Sequence, residues 1–592
     1  MRETPNRGAS VRSAGSASPT VSSATRSRIS SRIEWYLATP APPVDVSGKV
    51  FQTWGPYWSS PSRRTSVSRR RRTLPVIVAL VLAVVAAPAA ASEPAPDPAP
   101  QPEQWRSYWV DAFNEGIYTP AQVEELVGDA LEVNANALIV QVARRYDCFC
   151  NRADYPRTDA AIAPAPHDPL DEVIEQAHAA GLEVHAWVNF GTLWNSATPP
   201  RSPDHAFNAH GPSATGADRW LNKRVDGTEL VGNNSFIDPA NPAARDYVVG
   251  AIQSIVREYD VDGINLDYIR YPDHNSTTTH SDWGYSETSI ARFQAATGRT
   301  DVPAPSDAQF TDWRREQITS LVRRIYLGIF EIDPTVRLSN DGITYGFGPQ
   351  SVGGWEKTRT YAEVLQDWKG WLDEGIIDTV VAMNYKREWM PDQARMFTEW
   401  NEVLADWQGD RQTVSGPALY LNEIGDSVQQ VRDLLTPTAA GNTVAGWSGY
   451  SYANPSLTAA AGSPAVKDAE RAALAAALTT GPDAPFAADA AVPSMPWKDD
   501  PTTGNMAGTL RLRTGTALDG VTVTLEPVAG GGENRTQVSD GSGWFGFVDL
   551  PPGVYLARYD LPDRVAGAPF SVVRVQAGEL AEAQPQPFIP LP

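Results

Sequence analysis

Short apolar runs alternate with longer amphipathic stretches along this chain from Trp105 to about residue 450. A run of strand length followed by apolar positions at i, i+3 and i+4 marks a β–α unit, and such units assemble parallel sheets. Eight runs are predicted as strands, at 105–111, 137–143, 182–189, 261–268, 335–340, 377–383, 414–421 and 443–449. Helices are predicted between them. At 120–132, Val123, Leu126, Val127, Ala130 and Leu131 share a face; 168–180 opens with an Asp-Pro start signal; others fit 241–259, 306–331, 360–374 and 425–435. Eight strands close a (β/α)8 barrel, so the expected fold class is α/β, a TIM-type barrel over residues 105–481. A doubly wound open sheet competes, but it would carry a Gly-rich phosphate turn after its first strand. Asp111-Ala-Phe-Asn-Glu-Gly116 is not one.

Outside this region the pattern changes. Residues 482–504, rich in Ala, Pro and Asp, read as a linker. Beyond them the apolar period falls to two: 521–525 alternates, Ser539-Asp-Gly-Ser-Gly543 turns, 544–548 alternates, and Pro551-Pro-Gly553 turns before 554–559. Residues 505–592 are therefore predicted as a smaller all-β sandwich. At the other end, Arg63, Arg64 and Arg69 to Arg72 precede an apolar run from Leu74 to Ala87 and then Ala89-Ala90-Ala91. This reads as a secretory signal at 63–91, cleaved after Ala91. The run falls short of the roughly 20 residues of a permanent span, and no Cys follows it, so no stable membrane anchor or lipid attachment is expected. Residues 1–62 read as a disordered extension or a mis-assigned start with initiation near Val67, and 92–104 as an extended linker.

Residues 1–91 hold 13 Lys or Arg and 3 Asp or Glu, which leaves 36 basic against 67 acidic residues, a balance of −31. That field repels nucleic acid and anionic lipid and is indifferent to neutral polysaccharide. The only cysteines, Cys148 and Cys150, are too few for a disulfide scaffold. They either close a small local bridge in an oxidising compartment or stay as free thiols. No companion ligands accompany them, so neither a metal nor a cofactor is expected.

A barrel of this kind carries its chemistry at the carboxyl ends of its strands. There the sequence places Asp111 after the first strand, Arg144 and Asp147 after the second, and Trp187 and Asn189 on the third. Asp267, Tyr268 and Arg270 belong to the fourth, Asn384, Tyr385 and Glu388 follow the sixth, Glu423 follows the seventh, and Trp447 lies on the eighth. Aromatic faces stack on apolar sugar faces while polar groups bind hydroxyls, so the set suits a glycan. The long polar loop at 192–235 suits a cleft wall. Glycosidic cleavage uses two carboxyl groups. Asp267 is predicted as the ionised catalytic partner, with Arg270 close enough in sequence to favour its charge. Glu388 is predicted as the acid, with Glu423 its rival and Asp341 behind both. His185 reads as a satisfied interior histidine and His178 as structural.

Taken together, Trp109-Val-Asp-Ala112, Val140-Gln-Val142 with Arg144-Arg145, Ala177-His178 before His185-Ala-Trp187-Val-Asn189, Asp262-Gly-Ile264 with Asp267-Tyr-Ile-Arg-Tyr-Pro272, Gln366-Asp-Trp368 and Met383-Asn-Tyr385 resemble glycosyl-hydrolase-like family 10. The resemblance runs from about Trp105 to Tyr452. It implies a (β/α)8 barrel in a secreted bacterial protein that hydrolyses glycans, with peptidoglycan glycan strands as the substrate class. It implies no particular catalytic pair. Asp341 departs from it, standing where an uncharged residue is expected, and Cys148-Phe-Cys150 is a second departure. Residues 505–592 resemble a carboxypeptidase-regulatory-like or collagen-adhesin B-type sandwich through Ser539-Asp-Gly-Ser-Gly543, Phe545 and Leu550-Pro-Pro-Gly-Val-Tyr555, which implies either a cell-wall contact or a passive spacer. The expectation is a secreted, monomeric glycoside hydrolase acting on polysaccharide. One alternative is a chitinase-like hydrolase: Asp262-Gly-Ile-Asn-Leu-Asp267 is similar to the fourth-strand signature of family 18 chitinases, but Ile269 stands where their acid would be. The other is a non-catalytic carbohydrate-binding or surface-adhesion protein.

Overall fold

The computed structural model describes residues 102–528, 532–585 and 587–591. The expected extension, signal and nearly all of the first linker lie outside the described residues. Eight parallel strands form a closed barrel: β1 (Trp105–Val110), β2 (Ala137–Ala143), β3 (Glu183–Asn189), β4 (Gly263–Asp267), β5 (Arg337–Ile343), β6 (Thr379–Met383), β7 (Gln412–Gly416) and β8 (Gly446–Tyr450). Each pairs with its successor and β8 closes on β1. The strands are buried on both faces because side chains fill the interior and helices cover the outside.

Sequence periodicity placed the strands well but misjudged several ends. β5 runs on to Ile343 and β8 to Tyr450, past their predicted limits, and this brings Asp341 and Tyr450 into the barrel wall. β7 stops at Gly416, where Pro417 cannot continue the hydrogen-bond ladder. The helix predicted at 360–374 is two pieces, Arg359–Ala362 and Trp368–Glu374. Between them Leu365 adopts φ 55°, and the Gln366 side chain reaches into the wall to accept from Ile343 N at 2.8 Å and donate to Asp341 O at 3.2 Å. In the helix Pro120–Glu132, Thr119 caps the start and Val123, Leu126, Val127 and Ala130 are buried, whereas Leu131 is exposed.

Residues expected as a linker at 482–504 cross the amino-terminal floor of the barrel. Carbonyls of Ala488, Pro493 and Ser494 accept from Arg106, Arg337 and Gln412. Asp378, fully buried, takes Lys498 Nζ at 2.8 Å and Trp497 Nε1 at 2.7 Å. Beyond, a three-stranded sheet (Trp544–Leu550, Gly504–Thr509, Leu580–Ala583) and a four-stranded one (Arg535–Val538, Thr522–Pro527, Gly553–Tyr559, Phe570–Val575) enclose Met506, Val523, Leu525, Phe545 and Phe547. This sandwich is joined to the barrel by ion pairs: Arg245 with Asp540 at 3.2 Å, both buried, Arg292 with Asp519 at 2.7 Å and Arg411 with Asp549 at 2.6 Å.

Candidate active site

The register of β4 and β5 sets Asn265 beside Ser339 and Leu266 beside Asn340. One step further along both strands, Asp267 comes beside Asp341, on the face they share with Asn265 and Ser339. Asp267 is 8% exposed and Asp341 1%. Burial, and then the negative charge of Asp267, push the Asp341 carboxyl well above the usual carboxylate range, against hydrogen bonds from Asn265 and Trp109. Trp109 Nε1 donates to Asp341 Oδ1 at 3.1 Å. Asp267 is also raised by burial, while Arg270, Tyr268 N–H and the Trp187 indole favour its charge. Tyr268 N lies 2.6 Å and Arg270 Nη1 3.9 Å from Asp267 Oδ1. Arg270 therefore acts in the expected direction, but burial outweighs it. Two like charges on neighbouring strands do not both ionise readily, and burial raises both carboxyls, Asp341 well above its ordinary range.

Aromatic rings surround the pair. Tyr385 and Tyr450 stack at 5.1 Å, and Trp109 meets both edge-on at 6.3 and 6.0 Å. Trp187 meets Tyr450 at 6.4 Å. Gly416 makes the reach of Trp109 possible, since a Cβ there would come within 2.3 Å of the indole ring. Tyr268, immediately after Asp267, adopts φ 55°, with the Arg270 guanidinium 3.7 Å over its ring. A bulky residue held in this region is strained, and such strain concentrates at functional sites.

Several residues singled out in the sequence meet here. Asn189 pairs in register with Asp267. The Tyr450 phenol, raised first by burial, also feels Asp111, Asp267 and Asp341. Asp111 itself is held by Asn114 Nδ2 at 2.7 Å and Phe113 N at 3.1 Å.

Others do not meet. Glu388 accepts from Gln430 at 3.4 Å and its carboxyl is raised by burial and by Asp433 and Asp426; every one of these partners lies on the outer helix Ile424–Leu434. Its partners are on that helix, and the carboxyl that the strand register brings toward Asp267 is that of Asp341. Glu423 is exposed and accepts from Thr458 Oγ1 at 3.0 Å. Trp447 lies between the inward residues Gly446 and Ser448, so its ring turns outward onto Tyr108 and Phe486, each at 5.5 Å. Asn384 bonds Phe397 O at 3.1 Å and Asn401 at 3.2 Å, tying the loop to the helix Pro391–Asp406. Arg144 and Asp147 bond each other at 3.3 Å.

The sequence ranks Asp341 behind Glu388 and Glu423, and leaves Trp109 and Tyr450 outside the predicted site residues. The signal for Asp341 was its register with Asp267, hidden by ending the strand too early. Lys386, also outside the predicted site residues, donates from Nζ to Thr344 O at 2.8 Å, and burial pushes its ammonium down to about 7. At the floor, His185 Nε2 lies 3.0 Å from Glu183 and its ring 4.8 Å from Trp105; His178 pairs with Asp262 at 2.8 Å. Cys148 and Cys150 form a disulfide. Among the described residues, no group of three or more His, Cys, Asp or Glu could hold a metal ion, and no helix is long and apolar enough to cross a membrane.

The site thus sets two buried carboxyl groups, Asp267 and Asp341, among aromatic rings inside a closed parallel barrel. The chain belongs to the glycosyl hydrolase-like 10 family, whose model matches residues 104–432. It is 25% identical over 337 residues to the glycosyl hydrolase YngK of Bacillus subtilis, covering 55% of this chain and 59% of that protein. It is 24% identical over 277 residues to the glycosyl hydrolase DigH of Escherichia coli K12, covering 43% of this chain and 53% of that protein. The chain thus spans little more than half the length of either relative. Among solved structures, the glycoside hydrolase domain of PgaB (BpsB) from Bordetella bronchiseptica matches with a TM-score of 0.44 and 14% identity, over 62% of this chain and 98% of that one. The catalytic domain of β-amylase from Paenibacillus polymyxa matches with a TM-score of 0.43 and 12% identity, over 60% and 94%.

Proposed function

We propose that this protein is a secreted glycoside hydrolase that cleaves peptidoglycan glycan strands with Asp341 as acid and Asp267 as the ionised partner. The neighbouring Asp267 and Asp341 carry the reading: they offer two carboxyl groups, one to give a proton and one to act charged, beside the half-buried Tyr385 and Tyr450, whose rings suit a sugar face. The Asp341 O–H protonates the glycosidic oxygen as the bond from that oxygen to the anomeric carbon breaks, its electron pair passing to the oxygen. The Asp267 carboxylate attacks the anomeric carbon and forms a glycosyl ester. Water, deprotonated by Asp341, then displaces Asp267 and restores both groups. Family membership and the names of YngK and DigH support glycoside hydrolysis. Secretion rests on the basic, apolar and small-residue pattern at 63–91. The sandwich, joined to the barrel through buried Arg245 and Asp540, serves as an attached prop that adds a face for wall contact.

The test incubates purified protein with peptidoglycan strands lacking stem peptides, alongside chitin and plant glucans, and measures new reducing ends. Release from the peptidoglycan strands, abolished in Asp267→Asn and Asp341→Asn, is the expected result. Retention of strands without cleavage would favour a binding protein, and preferential cleavage of chitin a chitinase-like one.

A further inference from the structure

We propose that Arg145 anchors a carboxylate on the glycan, so that the site selects an acidic sugar chain; the inference rests on the glycoside-hydrolase reading above. The loop after β2 carries adjacent arginines, Arg144 and Arg145, and one nearby carboxylate, Asp147. Arg144 uses it, with Nη2 3.3 Å from Asp147 Oδ2 and Nη1 donating to Ala112 O at 3.0 Å. The same Asp147 oxygen takes Thr158 Oγ1 at 2.6 Å. Arg145 is left over. Among the described residues, no hydrogen bond or ion pair is made by its guanidinium, although the residue is only 9% exposed. Burial and the like charge of Arg144 weaken its cation and draw its pKa down to about 9, with Asp147 opposing them. An unpaired buried cation is unfavourable. In a chain with 67 acidic residues beyond Ala91, an arginine kept free of them holds its donors for something else.

Its surroundings say what that is. Phe113, in the loop after β1, is 42% exposed, and the Arg145 guanidinium lies 4.5 Å over its ring. The two make a platform with an apolar face and a charged edge at the carboxyl end of the barrel, where Asp267 also lies. β2, β3 and β4 are successive in the wall, so the end of β2, from which the Arg145 loop leaves, stands two strand spacings, about 10 Å, around the rim from the end of β4. A sugar next to the one being cleaved would rest there. The planar fork of a guanidinium matches a carboxylate, which sugars carry either on the ring, as a uronate, or on a lactyl ether.

The experiment uses the full chain carrying Asp267→Asn, which binds without turnover, and titrates three probes by calorimetry. They are peptidoglycan strands stripped of stem peptides, which bear free lactyl carboxylates; the same strands with those carboxylates amidated; and oligogalacturonate. Amidation is expected to weaken binding about tenfold to a hundredfold, the range for a charge-assisted hydrogen bond. Arg145→Gln should do the same, and the two changes together no more than either alone. Tighter binding of oligogalacturonate than of stripped strands, dependent on Arg145, assigns a ring carboxylate instead of a lactyl one. Equal binding of free and amidated strands, or binding of no probe, overturns the proposal; the amidation arm decides even where Arg145→Gln does not fold. The unsubstituted chain separates this from the parent reading. Equal cleavage of free and amidated strands keeps hydrolysis and removes the subsite, whereas carboxylate-dependent binding without cleavage keeps the subsite and removes hydrolysis.

Discussion

Trp109 Nε1 donates to Asp341 Oδ1 at 3.1 Å across the full width of the barrel, from β1 to the strand diametrically opposite. That bond favours the charged form of Asp341, while burial and Asp267 oppose it. Trp109→Phe removes the donor and keeps a ring. The Asp341 pKa should then rise further, and with Asp341 as the proposed acid, active only while protonated, the alkaline limb of the pH–kcat profile should move to higher pH. An unmoved limb would show that Asp341 is not the acid.

Asp341→Asn should lower kcat by about 10²- to 10⁴-fold, the usual worth of general acid catalysis. Glycosides with leaving groups that need no proton should lose much less. The same change should raise stability at pH 7. Both carboxyls have raised folded pKa values, so they keep protons that the unfolded chain has already lost, and wild-type stability falls as pH rises above the unfolded value of about 3.9. Thermal melts should show the variant ahead at neutral pH and the gap closing near pH 4.

Adjacent in-register strands set Asp267 and Asp341 about 5 Å apart at the backbone, on one face. Carboxyl groups that keep this backbone spacing fall in the range of about 5 to 5.5 Å at which the second group acts as nucleophile, below the wider gap that admits a water. Net retention of anomeric configuration is expected, read by NMR of the first product formed. Inversion would assign Asp267 to activating water.

Lys498→Ala should destabilise the protein by about 3–5 kcal/mol, the cost of stranding one member of a buried ion pair. Asp378 is fully buried and held below its ordinary range, burial being opposed by Lys498, Leu338 N–H and Trp497. A depressed carboxyl contributes stability at neutral pH that is lost as pH falls through its folded value, so the deficit should shrink in acid. Denaturant unfolding at pH 7 and pH 3 measures both.

Much of this architecture was legible along the chain. All eight strand positions, the strand-and-turn texture after residue 504 and the strand-end location of Asp267 follow from local periodicity. Side-chain direction was less so. Trp447 turns outward because it is one residue out of parity with the inward Gly446 and Ser448, and Glu388 lies on a loop whose course depends on Asn422 and Gln430. Arg144 and Arg145 are indistinguishable in sequence; only the position of Asp147 spends one and spares the other.

What the sequence by itself determined is the order and kind of elements, because hydrophobic period and turn chemistry act over a few neighbouring residues. What only the tertiary structure decided is which polar groups meet: the register that seats Asp341 beside Asp267, the glycine that lets Trp109 cross the barrel, and the desolvation that raises both carboxyls. These depend on contacts between residues far apart in the chain and on the exclusion of water, neither of which any local pattern encodes.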